Sequence, residues 1–248
     1  MTPEDVVGFV ESYIEERRGL WRRPLVGFAD AKDRLFKEYS RMHGFKTPTE
    51  LVDGAKSVIM IFIPFKEHIV HSNASLSLTP SREWALAYIE ANKLLEGLCR
   101  ELVHGLSEEG YRSLYIPPTG DFDRDTFASS WSHKHAGYIA GLGTFGMHHQ
   151  LITKQGCCGR LGSVVTQASF KPTPRSDEEF CLHKRGYNCL MCLSKCPVGA
   201  LTYSGLDKRR CYEQCLKGAE KHRDLGLAEV CGKCSCGTPC SLQVPKPF

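Results

Sequence analysis

In the first part of the chain, some stretches space their apolar residues as helices do and others as strands do. Residues 55–65 (AKSVIMIFIPF) form an unbroken apolar run rich in β-branched side chains, which is typical of a buried strand. Residues 81–106 place apolar side chains at helical spacing. Other stretches predict strands over 111–117 and 159–169 and a helix over 132–140. The order strand, helix, strand, helix, strand predicts an α/β or α+β layered domain.

The first residues predict an amphipathic helix and not a targeting segment. Thr2 is suited to the N-cap, Pro3 to the first helical position, and Glu4 and Asp5 to the first turn. The basic start and apolar core of a secretion signal are both missing, and no apolar run approaches the roughly 20 residues that span a bilayer. We therefore expect a cytoplasmic protein without a membrane partner.

Cysteine is the unusual component of this 248-residue chain, since ten of its thirteen cysteines follow residue 180. In a reducing compartment, clustered thiols indicate metal binding and not disulfides. The polar, proline-bearing stretch 170–180 separates these thiols from a region of ordinary globular composition. We therefore predict an α/β domain over 1–175 and a small cysteine-rich domain over 176–248. The net charge of +4 is too small to indicate a polyanionic partner on its own.

Three cysteines in the segment 188–201 have the spacing of iron–sulfur ligands. Cys189, Cys192 and Cys196, the last followed by proline, reproduce the later part of the run that binds clusters in bacterial two-cluster ferredoxins. The first ligand of that run is missing because position 186 is glycine, and Cys181 can replace it if the intervening residues loop out. The ten cysteines after residue 180 provide the eight ligands of two [4Fe–4S] clusters and two more.

Zinc is the alternative metal. Two CxxC pairs, Cys189 with Cys192 and Cys231 with Cys234, would make one tetrahedral Cys₄ site. That site leaves several cysteines of the same region without a role, so we favour two clusters. The cysteines left over by zinc are Cys181, Cys196, Cys211 and Cys240.

The remaining cysteines do not match the ligand pattern. Cys215 and Cys236 are expected to be small core residues or exposed thiols. Cys99, Cys157 and Cys158 lie outside the cysteine-rich region, where single cysteines are usually buried as small apolar side chains. A redox role for the adjacent pair is the less favoured interpretation.

The segment 131–166 contains the densest set of glycines and histidines. Gly141, Gly143 and Gly146 have the spacing of a dinucleotide-binding turn, but they follow a helix-like stretch and not a strand, so this signal is weak. Glycines also let a backbone turn sharply and approach a bulky ligand. His148 and His149 follow the turn and are candidates for acid–base chemistry.

Acidic residues precede this segment. Asp121, Asp123 and Asp125 could supply a general acid, but such a cluster also serves as a turn and a helix cap, and we favour the structural role. His133 and His135 are two positions apart, so in a helix they point to different faces. A mononuclear metal site built from this pair is therefore disfavoured.

The glycine turn and the cysteine region together resemble the epoxyqueuosine reductase and reductive dehalogenase superfamily, over about 55–248. The resemblance implies a nitroreductase-like layered domain that binds a corrinoid, followed by a small bacterial ferredoxin-like domain with two [4Fe–4S] clusters that deliver electrons to cobalt. The matching stretches are Ala140–Gly146, Leu151–Thr153, Arg160–Thr166 and Cys181 through Cys240. The residues that would contact the corrinoid are Gly141, Leu142, Gly143, Thr144, Phe145 and Gly146.

The ligand order of the superfamily implies two sets of four cysteines. Cys181, Cys189, Cys192 and Cys240 would bind one cluster, and Cys196, Cys211, Cys231 and Cys234 would bind the other.

Two departures from the superfamily affect the expected reaction. Its reductases carry a proton-donating acid in a D-x-A-P stretch, where this chain has DTFASSW, so Asp125 is a loose match and Asp123 an alternative. Asp125, His148 and His149 are thus our candidate proton donors. The helical repeat that helps those enzymes to grip tRNA has no counterpart up to Phe248. We therefore do not expect nucleic acid as a partner.

The leading hypothesis is an iron–sulfur oxidoreductase. Two clusters would pass single electrons to a corrinoid (cobalamin) for reduction of a small organic substrate, and a ferredoxin- or flavodoxin-type protein would be the donor. One alternative is a non-catalytic electron-transfer protein that reduces or reactivates a partner corrinoid protein. The other is a tRNA epoxyqueuosine-type reductase.

Overall fold

The computed structural model describes residues 1–17, 19–75, 77–117 and 122–247. Within these ranges no helix combines the length and apolar character needed to cross a bilayer. Helices and small sheets mix along the chain, so the α+β class is confirmed. In chain order the elements are α1 (Pro3–Glu16), β1 (Leu25–Asp30), α2 (Arg34–His43), α3 (Pro48–Leu51), β2 (Ser57–Pro64), α4 (Glu67–Ser72), α5 (Arg82–Glu108), β3 (Ser113–Ile116), α6 (His133–Ile139), β4 (Gly143–Phe145), β5 (Leu151–Thr153), β6 (Gly159–Thr166), α7 (Met191–Ser194), β7 (Leu201–Thr202), β8 (Gly205–Leu206) and α8 (Lys208–Lys221).

The chain divides into two compact units, each built from three segments. Unit 1 contains residues 1–63, 92–142 and 160–176, and unit 2 contains residues 64–91, 143–159 and those from 177 onward. The last change of unit, between residues 176 and 177, lies close to the domain boundary that we predicted between residues 175 and 176. The two earlier segments of unit 2 were not anticipated, because they have ordinary globular composition. The division into a corrinoid-type domain and a ferredoxin-like domain stays a prediction.

Unit 1 is organised around a four-stranded sheet in the order β1-β2-β6-β3. Strand β1 pairs antiparallel with β2, from Leu25 opposite Phe62 to Asp30 opposite Ser57, and β3 pairs antiparallel with β6. All eight residues of β2 are buried, as its unbroken apolar run predicts. The antiparallel pairing places this sheet in the α+β class.

Helices α1 and α5 cover the apolar core of unit 1. In α1, Val6 and Val10 are fully buried, and the Thr2 side chain and Asp5 form a reciprocal capping box, so the predicted start of this helix is confirmed. Leu95 and Leu98 of α5 pack in the same core. Alternate residues of β2 complete it, because a strand directs every second side chain to one face: Ile59, Ile61 and Ile63.

Strand β1 was not predicted, because its sequence LVGFAD is short and contains a glycine. The structure shows why glycine is required at position 27. A Cβ atom there would collide with the carbonyl oxygen of Ala140 and press on the Leu142 side chain. Close approach of neighbouring backbone thus excludes any side chain at this position.

Unit 2 consists of short elements joined by turns. Strand β4 pairs antiparallel with β5, and β7 with β8. Helix α8 begins after Asp207, whose side chain accepts a hydrogen bond from the Arg210 N–H. A small apolar cluster in this unit joins the first turns of α5 to the segment after α8, through Ala85, Tyr88, Ile89 and Ala228.

Candidate metal centre

Four cysteines of unit 2 form the first thiol group: Cys181, Cys189, Cys192 and Cys240. Cys192 lies in the short helix α7 and is buried. Burial and, to a smaller extent, the negative charges of Cys240, Cys181 and Cys189 together raise the pKa of the Cys192 thiol to about 12. These interactions place the four sulfurs in one neighbourhood, although Cys240 is far from the others in sequence.

Four other cysteines of unit 2 form the second thiol group: Cys196, Cys211, Cys231 and Cys234. Burial raises the pKa of Cys234 far above its usual range, and the charges of Cys231, Cys211 and Cys196 add to this effect. Burial likewise raises the pKa of Cys231 to about 11; the Lys233 backbone N–H opposes the rise, and Cys211 and Cys196 reinforce it. The structure thus brings these four thiols close to one another, with Cys192 of the first group also near Cys234. The assignment of the eight cysteines to two clusters stays a prediction.

The spacing of these thiols differs from that of a zinc site. Four sulfurs bound to one zinc at about 2.3 Å would lie roughly 3.8 Å apart. In the described part of the chain, the one set of three or more potential ligand atoms within 4.8 Å of one another is His148, Cys157 and Cys240. The two CxxC pairs of the zinc alternative do not form such a set there. The wider spacing favours a larger inorganic group.

An unsatisfied polar atom beside the second thiol group fits this interpretation. Trp84 Nε1 is buried and has no hydrogen-bond partner among the described residues. The indole lies against Gly232, where a Cβ atom would collide with it, and Gly232 directly follows Cys231. A buried donor without an acceptor costs about 1–3 kcal/mol, so an acceptor at this position would stabilise the fold. The sulfurs of an iron–sulfur cluster are suitable acceptors.

A buried cation also belongs to the second group. Lys233 is only 4% exposed, and its Nζ donates to the carbonyl oxygens of Asn73 and Ser75 at 3.1 and 3.3 Å. Burial lowers the pKa of Lys233, while the charges of Cys231 and Cys236 oppose this effect. A buried positive charge next to thiolates offsets the negative charge that a cluster with four thiolates carries.

Four of the five cysteines outside the ligand pattern lie close to it in unit 2, whereas Cys99 is buried in the apolar core of unit 1. The Cys158 and Cys236 sulfurs are 3.9 Å apart, and both residues are fully buried. Contact with the Cys158 and Cys240 sulfurs, together with burial, raises the pKa of Cys157. Contact with Cys211 and burial also raise the pKa of Cys215 far above its usual range. Sequence spacing gave no sign that these residues neighbour the ligand candidates.

The two adjacent histidines have different environments. His148 is 2% exposed, its Nε2 lies 3.3 Å from the Cys240 sulfur, and its Nδ1 accepts a hydrogen bond from the Gln150 N–H at 3.1 Å. His149 is exposed and has a left-handed backbone (φ 57°). The structure therefore brings His148 to a candidate metal ligand. A proton-donor role for either residue stays a prediction.

The Cys240 sulfur is stabilised as a thiolate by neighbouring hydrogen-bond donors. A hydrogen bond from Cys157 lowers the pKa of Cys240 to about 4, and those from His148 and Thr238 act in the same direction. Burial opposes the shift. A group that is a thiolate at neutral pH is ready to bind a metal.

The acidic stretch before α6 forms a turn. The Asp123 carboxylate accepts hydrogen bonds from the backbone N–H groups of Asp125 and Thr126, at 2.9 and 2.7 Å. The Thr126 bond and then the Asp125 bond hold the pKa of Asp123 below its usual value. Asp125 itself is exposed, and Asp121 lies outside the described residues. Asp123 therefore has the turn-forming role that we favoured for this cluster.

The glycine segment 141–146 crosses from unit 1 to unit 2, so its two parts are described separately. In unit 1, Gly141 has a left-handed backbone (φ 73°), and a Cβ atom there would meet the carbonyl oxygens of Pro174 and Thr173. In unit 2, a Cβ on Gly143 would collide with the Ile152 backbone, and Thr144 Oγ1 accepts a hydrogen bond from the Phe180 N–H at 2.8 Å. Close packing of the chain thus accounts for these glycines without a ligand. Corrinoid contact by Gly141, Leu142, Gly143, Thr144, Phe145 and Gly146 stays a prediction.

The other two histidines of this region hold the backbone of unit 1. His133 Nδ1 is 2.9 Å from Ser163 Oγ, and its Nε2 is 3.2 Å from the carbonyl oxygen of Pro117. His135 Nδ1 is 2.7 Å from Ser132 Oγ. Both rings therefore have structural hydrogen bonds.

Comparisons with known proteins identify the fold. No protein-family profile and no curated protein sequence matches the chain. An epoxyqueuosine reductase crystal structure superposes with a TM-score of 0.57 at 19% identity, over 98% of this chain and 69% of that one. The Bacillus subtilis enzyme, with its catalytic aspartate loop swung out of the active site, gives 0.63 at 18% identity, over 98% and 68%. The expected resemblance is therefore confirmed at the level of the fold, which is that of the epoxyqueuosine reductase structures.

A further structure corrects one expectation. An epoxyqueuosine reductase in complex with an epoxyqueuosine-modified tRNA-Tyr stem loop superposes with a TM-score of 0.61 at 19% identity, over 96% of this chain and 64% of that one. This fold therefore accommodates a nucleic-acid substrate, and our expectation that nucleic acid is not a partner was wrong. The reasoning failed because it relied on a helical repeat and a modest net charge, and not on the fold itself.

Proposed function

We propose that this chain is an iron–sulfur reductase that acts on a modified nucleoside of the epoxyqueuosine type in tRNA. The observation that carries the proposal is the arrangement of eight cysteines of unit 2 in two groups within a fold that, in a similar protein, binds a modified tRNA stem loop. Each group supplies the four thiolates that one [4Fe–4S] cluster requires.

The residues have separate tasks in this proposal. The first thiol group (Cys181, Cys189, Cys192, Cys240) would hold one cluster and the second thiol group (Cys196, Cys211, Cys231, Cys234) the other. The clusters supply single-electron transfer when bound. Trp84 would donate its unpaired N–H to the second cluster, and Lys233 would offset its negative charge. Asp125 and His149 are exposed candidates for donating the proton that a reduction consumes, and His148 is the buried candidate.

The surface of α8 supports a nucleic-acid substrate. Lys208, Arg209, Arg210 and Lys217 are all exposed on this helix. Basic side chains bind the phosphate backbone, and each contact makes affinity fall with salt concentration. The same residues would attract an acidic ferredoxin- or flavodoxin-type electron donor, so electron transfer and tRNA binding could share this surface.

A corrinoid-dependent reduction of a small organic substrate is the second candidate. The confirmed fold supports it, since the superfamily resemblance includes the reductive dehalogenases, but the packing of the glycine segment gives it no independent support. We therefore assign no step of the reaction to a corrinoid.

The test uses anaerobically purified chain reconstituted with iron and sulfide. Cobalamin is either added or withheld, a chemical reductant is supplied, and an epoxyqueuosine-modified stem loop is the substrate. We expect about eight irons per chain and conversion of the nucleoside, measured by mass spectrometry after digestion. The unmodified stem loop and the Cys234→Ala variant are the controls. Full iron content without conversion of the nucleoside, under either cobalamin condition, would reject the tRNA substrate and leave the reduction of a small organic substrate and the electron-transfer protein as candidates.

A further inference from the structure

The Cys240 sulfur has an unusual neighbour for a cluster ligand, the imidazole of His148. Nε2 of the ring is 3.3 Å from the sulfur, within reach of an N–H···S hydrogen bond. The pair is far apart in sequence, so the contact is a product of the fold. It lies within unit 2, where Cys157 N–H also donates to the carbonyl oxygen of Cys240 at 3.0 Å.

The other ring nitrogen determines which atom carries the proton. Nδ1 of His148 accepts the Gln150 backbone N–H at 3.1 Å, so its lone pair is occupied by that donor. A neutral imidazole has one donor and one acceptor nitrogen, and therefore Nε2 carries the hydrogen. The N–H consequently points towards the Cys240 sulfur as a donor.

The ring of His148 lies in a confined, buried space. His148 is only 2% exposed, and a Cβ atom on Gly146 would lie 2.5 Å from Cε1 and 2.9 Å from Nδ1 of the imidazole. Gly146 thus provides the space in which the ring lies. The donor is held in place before any cluster binds, so little reorganisation accompanies a change in charge at the sulfur.

Thr238 is a second neighbour of the same sulfur, with Oγ1 at 3.3 Å. Its hydroxyl also donates to the carbonyl oxygen of Ser235 at 3.2 Å, so its single hydrogen is shared between two acceptors. Within the described residues His148 Nε2 has no second acceptor, so His148 is a stronger donor to the Cys240 sulfur than Thr238 is.

We propose that His148 is a positioning residue that raises the reduction potential of the cluster bound by the first thiol group. The inference rests on the proposed function, since it requires that Cys240 is a cluster ligand. A reduced cluster carries one more negative charge than an oxidised one, and a hydrogen bond to a ligand sulfur stabilises that charge. Within the described residues, His148 contacts a ligand of the first cluster and none of the second. Replacement of His148 therefore leaves the reduction potential of the second cluster unchanged.

The test is a redox titration of the full chain, followed by electron paramagnetic resonance, with iron content measured on each sample. His148→Phe fills the buried space but removes the donor. We expect it to lower the potential of one cluster by roughly a tenfold change in the one-electron equilibrium, about 59 mV, and to leave the other unchanged. His148→Gln retains an N–H donor and should shift the potential less. His149→Asn changes the exposed neighbour, tolerates the left-handed backbone, and should shift neither cluster.

A second measurement needs no substitution. Chain labelled with ¹⁵N-histidine should show weak hyperfine coupling of one imidazole nitrogen to the reduced first cluster in pulsed resonance spectra, and the coupling should be missing in His148→Phe. Two clusters with unchanged potentials in His148→Phe, or no histidine coupling in the labelled wild-type chain, would overturn the inference. An iron content well below about eight per chain in the wild type would instead reject the two-cluster function on which it rests.

Discussion

Unit 1 and unit 2 bury different kinds of side chain. The core of unit 1 is apolar, with Ile59, Ile61, Leu98 and Leu102 almost completely excluded from solvent. Most of the buried polar or charged residues of the described chain belong to unit 2, together with nearly all of its buried cysteines. Examples are His148, Gln214, His222, Lys233, Ser235 and Thr238.

This difference indicates two sources of stability. Unit 1 is stabilised by removal of apolar surface from water, at about 25 cal/mol per Å². In unit 2, buried hydrogen bonds mainly compensate for desolvation of the groups that form them, and each contributes only about 1 kcal/mol. Metal binding free energy is also folding free energy wherever the site forms on folding. We infer that unit 2, and not unit 1, depends on its inorganic groups.

Removal of iron should therefore give the largest effect, and an unequal one. Structural metals contribute on the order of 10 kcal/mol to small sites, so chain prepared without iron should lose amide hydrogen-exchange protection in α8 and in the segment around Cys240. Strands β2 and β6 should keep theirs. Hydrogen exchange with mass spectrometry compares the two units within one sample. Equal loss of protection in both would show that unit 1 has no independent stability.

Single cysteine substitutions should show how much iron each thiol group binds. Cys234→Ala removes a ligand of the second group, and we expect it to lose about four of about eight irons, because each cluster needs four thiolates. Cys215→Ala is the matched control, since this thiol contacts Cys211 but lies outside the ligand pattern. Iron content and sulfide content measure the outcome. Loss of iron in the control would make Cys215 a ligand and change the second group.

The same contrast explains what the sequence could predict. In unit 1, the apolar run of β2 and the helical spacing of α5 are local signals, and both elements were predicted close to their observed bounds. In unit 2, the ligand sets could be proposed only from a resemblance, and the contact between Cys157 and Cys240 joins residues that no local pattern connects. The orphan N–H of Trp84 likewise becomes visible only when the chain is folded.

Packing of the Cys240 segment can be tested by two glycines of unit 2. A Cβ on Gly156 (φ 83°) would meet the Ser241 carbonyl oxygen and the Leu242 nitrogen, whereas a Cβ on Gly186 (φ 89°) has open space. Gly186→Ala should cost only the backbone strain, about 1–2 kcal/mol. Gly156→Ala adds a steric clash with backbone, and we expect roughly 3 kcal/mol or more. Denaturation of the reconstituted chain measures the free energy of unfolding of both variants. Equal losses of this free energy would mean that the segment after Cys240 can move aside.

Acidification should produce the smallest effect, and it should act on unit 1. Burial lowers the pKa of His133 to about 4 from an ordinary value of 6.5, although the Pro117 carbonyl opposes the shift. Between these values the unfolded chain binds a proton that the folded chain excludes, so the stability of unit 1 falls as the pH falls below about 6.5 and is unaffected above it. His133 should contribute about 1.4 kcal/mol per pH unit to the dependence of this stability on pH. Hydrogen exchange of the β3 and β6 amides between pH 7 and 5 measures it, after correction for the intrinsic exchange rate.

His133→Gln keeps a polar side chain near Ser163 but does not titrate, and it should reduce that slope by about the same amount, 1.4 kcal/mol per pH unit. His135, whose pKa burial also lowers to about 4, stays in this variant, so a residual slope of the same sign is expected. An unchanged slope would mean that the His133 ring is already accessible to protons in the folded chain. In that case the buried hydrogen bonds of unit 1 would resemble those of unit 2, and the contrast between an apolar unit and a polar, metal-dependent one would be weaker than the burial of their side chains indicates.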